Sequence, residues 1–272
     1  MGHPPQNHTD APDAEFHRIP VRTWHARHRN AFVARADFGP LYEDYYLHWL
    51  QHDLRLDSRD DQLLKDALAA LALVLSSKTP DQQLAWTFNF QRPLVSLFVA
   101  GDNTPGRVAG RVWVEGLRKA DNGLLVSEAR RATGSVTRST VHVAAEANCL
   151  RAVETLHSQS EQRPARFFHH GPEDILHIAA QPGCDTAWLA SLNDDKIRQI
   201  WDEEELAPLE TRYYHFGCGC TSDMVVSRVA LLGAADFDHI FGERRDTVNV
   251  HCPRCGAVFA ITRESVEAAR QA

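Results

Sequence analysis

Cysteine is scarce in this chain, six in 272 residues, and that is too sparse for a disulfide-stapled scaffold. Basic charge is not in excess either. The formal net charge is -7, which argues against a dedicated nucleic-acid binder, since such proteins carry a basic face. No stretch approaches the roughly 20 apolar residues needed to cross a bilayer. The longest apolar run, Ala67–Leu75, reads as a buried helix. The opening segment MGHPPQNHTDAPDAEFHRIP has neither an apolar run nor a basic start, so no secretory signal is expected and we place the protein in the cytoplasm. We find no glycine-rich phosphate loop and no nucleophile triad, and we expect no enzyme. Gly101–Gly106 reads as a hairpin turn and not as an anion cradle.

What is present is ordinary globular composition, 43% hydrophobic and 24% charged, with enough chain for a sizeable core. Residues 1–14 are rich in Pro, His and Asp and read as a disordered arm. Tyr42, Tyr45, Tyr46, Trp49 and Leu50 recur at helical spacing over Leu41–Leu54. A second helix is expected over Asp60–Ser76, with Pro80 beyond its end. The period then changes to two. Trp86, Phe88 and Phe90 alternate with polar residues. Leu94–Val99, Val108–Val114, Leu124–Val126 and Ser135–Val143 follow as strands of an antiparallel meander. A helix over Ala144–Ser158 and two closing strands, Arg166–His169 and Ile175–Ala180, complete an expected core of residues 15–181. Helices and strands are segregated along the chain, so the fold class is α+β.

Residues 182–214 hold eight Asp or Glu against three Lys or Arg, and read as an acidic helical linker. Its helix, Asn193–Leu206, carries Ile197, Ile200 and Trp201 on one face. It is short enough to need docking, and Glu203, Glu204 and Glu205 oppose its macrodipole. We expect it to dock on the unit that follows, residues 215–272.

That unit contains Cys218-Gly219-Cys220, then 31 residues, then Cys252-Pro253-Arg254-Cys255-Gly256. The second half is a zinc-knuckle pattern, with Gly256 free to turn tightly. If residues 218–220 are extended, Cys218 and Cys220 point the same way and can face one ion. Four thiolates about 2.3 Å from one zinc would form a closed tetrahedral site with no open position for Lewis-acid chemistry. A unit of 58 residues buries little surface alone, so bound metal would decide whether it folds. We expect Cys218, Cys220, Cys252 and Cys255 to be the ligands. His215 and His251 flank them as substitutes, and Cys149 and Cys184 are structural. Residues 215–272 hold six Arg, no Lys and seven Asp or Glu, so nucleic acid is not an expected partner.

This C-terminal arrangement resembles the heat-shock protein 33 family of redox-regulated chaperones. The likeness extends to Asn122–Val126, to Cys149-Leu150 with Ser158–Phe167, and to Asp202–Glu205, and covers residues 16–272. The resemblance implies an ATP-independent, stress-responsive holdase that binds unfolding client proteins. It also implies one zinc ion, and oxidation to disulfides within each pair, Cys218–Cys220 and Cys252–Cys255. Zinc then leaves, the switch and linker unfold, and the active form is a homodimer. The chain departs from the family pattern in a linker of only 36 residues between Gln181 and Cys218, and in Ser127–Arg138 with its Arg130, Arg131 and Arg138. Two other readings stand beside this one: an interaction protein with a purely structural zinc site, and a thiol oxidoreductase using Cys252 and Cys255.

Overall fold

The computed structural model describes residues 17–242 and 245–271. The arm expected over residues 1–14 lies outside them. The chain begins with β1 (Ile19–Ala26) and β2 (Ala31–Asp37), a hairpin the sequence reading did not anticipate. Its turn closes at Asn30, whose φ of 46° is in the left-handed region that asparagine tolerates. Helices α1 (Gly39–Gln51) and α2 (Ser58–Leu75) follow. Asp57 caps α2 by accepting from the Asp60 amide. Every residue from Ala67 to Leu75 is buried, so α2 is apolar all round and runs through the centre of the core.

The expected meander is β3 (Gln83–Gln91), β4 (Leu94–Asp102), β5 (Arg107–Trp113), β6 (Gly123–Arg130) and β7 (Val136–Val143). Trp86, Phe88 and Phe90 of β3 all point into the core. Gly101–Gly106 does turn a hairpin, between β4 and β5. The segment Ser127–Arg138 forms most of the β6–β7 hairpin, with its turn at Gly134. Helix α3 (Cys149–Gln159) then leads to β8 (Ala165–His169) and β9 (Asp174–Ala180), which pair with each other and, through β9, with β2.

The acidic segment supplies α4 (Thr186–Ser191) and α5 (Asp194–Glu203), but it is not helical throughout. Leu206–Phe216 is an eleven-residue strand, β10. It pairs antiparallel with β1 over Ile19↔Tyr214 to Ala26↔Leu206. The last elements are α6 (Ser222–Ala230), α7 (Ala234–Phe241), β11 (Thr247–His251), β12 (Val258–Thr262) and α8 (Arg263–Gln271). Among the described residues no helix is long and apolar enough to cross a membrane.

The large sheet has ten strands in the order β7-β6-β3-β4-β5-β10-β1-β2-β9-β8. Its pairings are antiparallel except where β10 meets β5. There two residue pairs, His215↔Arg107 and Phe216↔Val108, form a short parallel seam. This seam joins the halves of the sheet. Helices α1, α2 and α3 cover one face, packing Tyr45, Leu68, Leu71 and Val153 against Phe88, Leu97 and Val108. On the other face α4 and α5 lay Leu189, Ile197 and Ile200 over Val33, Phe168, Leu176 and Ile178. The α5 stripe thus docks on the sheet and not on the cysteine unit as expected, because β2 and β9 offer it a second apolar face. Arg29 fastens this layer. Its Nε donates to both Glu204 oxygens at 3.1 Å, and its Nη1 donates to Asp185 at 2.8 Å. Glu204 and Glu205 therefore end α5 beside cations on the β1–β2 turn, which offsets their unfavourable place at the helix terminus.

Candidate metal centre

Four sulfurs converge where β10 ends. Cys218 and Cys220 lie in the loop between β10 and α6, and Cys252 and Cys255 in the turn between β11 and β12. Their Sγ atoms all lie within 4.8 Å of one another. The closest recorded approaches cross between the pairs, Cys218 to Cys252 at 3.7 Å and Cys220 to Cys255 at 3.5 Å. A tetrahedron of sulfurs about 2.3 Å from a central ion has edges of about 3.8 Å, so the spacing fits a thiolate-bound metal.

The Cys218–Cys220 loop does not reach this geometry as an extended segment. Gly219 sits at φ +68°, and it is this left-handed residue that folds both sulfurs toward the second pair. A side chain there would also strike the Arg107 guanidinium. The second pair follows its expected pattern. Gly256 has φ +79°, its amide donates to the Cys252 carbonyl at 3.0 Å, and the Cys252 amide donates to the Ala257 carbonyl at 2.7 Å. Cys252 and Cys255 thus lie on a tight turn at the end of a β-hairpin. A thioredoxin-like oxidoreductase Cys-x-x-Cys motif would instead open a helix in a βαβ context.

Cys252 and Cys255 are buried, and Cys218 and Cys220 half-buried. Hydrogen bonding from Cys218, then from Cys220 and Cys255, pulls the Cys252 thiol far below the ordinary thiol range. The reciprocal contacts, Cys218 first, push Cys255 and Cys220 far above it, and Cys218 is itself lowered through Cys220. Four sulfurs this close share protons, and only a cation among them would let all four ionise.

Core residues grip the backbone of this centre. His48 on α1 donates through Nε2 to the Cys255 carbonyl at 3.1 Å, and Arg111 on β5 donates to the Cys252 carbonyl at 3.2 Å. The Val258 amide donates to His52 Nδ1 at 3.2 Å. Ala109 packs among Cys252, Cys255 and Ala257. Burial lowers the His48 pKa, in keeping with a neutral ring. None of these partners was legible in the sequence. His48 and His52 share one helix face four residues apart, but nothing in the sequence says what that face meets.

The flanking His215 and His251 are not among the convergent ligand atoms. Cys149 is fully buried in the main core, where burial pushes its thiol well up. Cys184 packs beside α4 against the second apolar layer.

An α+β protein with a C-terminal four-cysteine centre has counterparts among known proteins. The family model described as Hsp33 protein matches residues 173–262. The 33 kDa chaperonin of Actinobacillus succinogenes is 21% identical over 98 residues, 35% of this chain and 34% of that protein. The 33 kDa chaperonin of Bacillus cytotoxicus is 30% identical over 71 residues, 26% of this chain and 24% of that protein. These matches span about a third or less of the relatives' length. The crystal structure of the 33 kDa chaperonin, a heat shock protein 33 homologue from Thermotoga maritima, superposes with a TM-score of 0.69 at 14% identity. It covers 94% of this chain and 98% of that one. The C-terminal third of the chain thus matches the Hsp33 family model, and the fold is that of the Thermotoga maritima protein.

Proposed function

We propose that this protein is a redox-regulated, ATP-independent holdase whose four cysteines, Cys218, Cys220, Cys252 and Cys255, hold one zinc ion. The observation that carries this reading is the convergence of both cysteine pairs within 4.8 Å. Four soft sulfur donors at tetrahedral spacing suit zinc. Bound there, zinc would cross-link the loop after β10 to the β11–β12 hairpin and supply folding free energy to a unit with a small core of its own, Val229, Phe237, Phe241, Ile261 and Val266.

The same sulfurs are the oxidisable groups. Each pair, Cys218 with Cys220 and Cys252 with Cys255, gives up two electrons to a peroxide or hypochlorite oxidant and closes a disulfide. Disulfide sulfurs are no longer thiolate ligands, so the centre loses its metal. Residues 215–272 then lose their cross-link, and the contacts from His48 and Arg111 lose fixed acceptors. In this reading residues 15–181 form the client-binding core, 182–214 the linker and 215–272 the switch. Release of α4 and α5 would bare Val33, Phe168, Leu176 and Ile178, an apolar face suited to unfolding proteins. Clients are unfolded or oxidatively damaged chains, and a homodimer would be the active form.

The test is zinc content and suppression of client aggregation, each measured before and after oxidation, with disulfides mapped. We expect one zinc per chain when reduced, none when oxidised, and suppression only in the oxidised state. Retained zinc with unchanged apolar-dye binding after peroxide would reduce the centre to a structural site.

A further inference from the structure

The seam between the sheet halves ends abruptly. Just before β5 the Gly106 carbonyl accepts from the His215 amide at 3.0 Å, and within β5 the Val108 carbonyl accepts from the Gly217 amide at 2.9 Å. Beyond Gly217 the chain turns away into the cysteine loop, yet β5 continues to Trp113. Successive residues of a strand direct their backbone groups to opposite edges. Gly110 and Val112 therefore face the same edge as Gly106 and Val108, while Ala109 and Arg111 turn toward β4. Among the described residues no strand pairs with β5 on that edge past Val108. The cysteine unit lies there instead. A cleft of about 110 Å³ separates the edge from the Cys255–Gly256 turn, and Trp49, Leu54, Leu56 and Leu64 line it.

We propose that the cysteine unit guards the β5 edge, and that its release makes Gly110 and Val112 the docking site for an extended segment of an unfolding client. The inference rests on the chaperone reading above and names the surface it would use. An open strand edge is a template for a further strand, supplying backbone hydrogen bonds that do not depend on sequence. Here the edge continues a ladder that β10 already occupies over two residue pairs. Side chains of an added strand would alternate between the apolar floor of Trp49, Leu54 and Leu56 and the opposite face. The fitting occupant is thus a segment that alternates apolar and polar residues. The guard is held by the Cys252 and Cys255 carbonyls, bound to Arg111 and His48, and by Gly256 against Leu54. All three contacts come from the turn that metal loss would relax.

The test uses the full chain and a ten-residue peptide alternating valine with threonine or lysine. Amide hydrogen exchange is followed at Gly110 and Val112, with Ala109 and Arg111 as internal controls. In the oxidised, zinc-free protein, saturating peptide is expected to slow exchange at Gly110 and Val112 by at least about tenfold and leave the controls unchanged. Val112→Pro removes only an outward-facing donor, which an edge can tolerate. It should weaken peptide binding by at least about tenfold while the reduced protein keeps one zinc per chain. If that variant fails to fold, the exchange measurement decides alone. Peptide binding without slowed exchange at Gly110 and Val112 overturns the edge and leaves the chaperone reading standing. No peptide binding and no aggregation suppression after zinc release overturns both.

Discussion

Gly219 carries a requirement that no other residue meets as well: a positive φ between Cys218 and Cys220, with Arg107 against the space a side chain would fill. We expect Gly219→Ala to destabilise the metal-bound protein by about 1 kcal/mol or more and to raise the rate of zinc loss to a chelator. Cys255→Ser should drop zinc from one ion per chain to none in elemental analysis, since it replaces a buried soft donor. His157 and His177 offer a second test, away from the centre. They lie inside the core with ring centroids 5.5 Å apart, and Phe167 stacks on His177. Burial brings His157 from 6.5 down to about 4 and drives His177 lower in the same direction. The unfolded chain thus takes up these protons first. Stability is intact above about pH 6.5 and falls as pH drops toward 4, by about 3 kcal/mol for His157 alone. Urea midpoints at pH 7 and pH 4.5 should differ less in His177→Phe than in the parent chain.

The helices and strands divide by how local their cause is. Ala67–Leu75 was legible as a buried helix because nine consecutive apolar residues leave no polar face for solvent. Leu71→Ala in α2 should cost about 2–5 kcal/mol in chemical denaturation, as befits a fully buried position. The β3–β7 meander was legible from its alternation and its glycine turns. β1 and β2 carried signals too, Val21 and Thr23 in alternation and a turn ending at Asn30, but the surrounding histidines and arginines obscured them. β10 was hidden more deeply. Leu206–Phe216 follows an acidic helix and carries little apolar alternation, and it is a strand because β1 and β5 lie ready on either side. The α4–α5 layer depends on Arg29. Arg29→Ala should loosen it by about 1 kcal/mol, a partly exposed ion-pair network contributing no more than that, and should speed proteolysis near Trp188 before the core is cut.

At the scale of the whole molecule, cores of unequal size share one chain. The main core surrounds α2, and a smaller one surrounds Phe241 and Val266. Stripping metal with a chelator should therefore split a single thermal unfolding transition in two. The earlier would report residues 215–272 by calorimetry, and the later the sheet. A single transition unmoved by chelation would contradict that picture.

The sequence by itself determined the four sulfurs, their pairing along the chain and the apolar patterns of α2 and the meander. Those features rest on spacing and periodicity, which act over a few residues. Only the tertiary structure decided that Ile19–Ala26 would pair with Leu206–Phe216, that α5 would lie on the back of the sheet, and that His48 and Arg111 would hold the cysteine turns. The first and last join segments more than a hundred residues apart, and α5 bridges the distant β2 as well as the nearer β8 and β9. Backbone hydrogen bonding is indifferent to side-chain identity, so which distant edge a strand finds is settled by the shape of the assembled core.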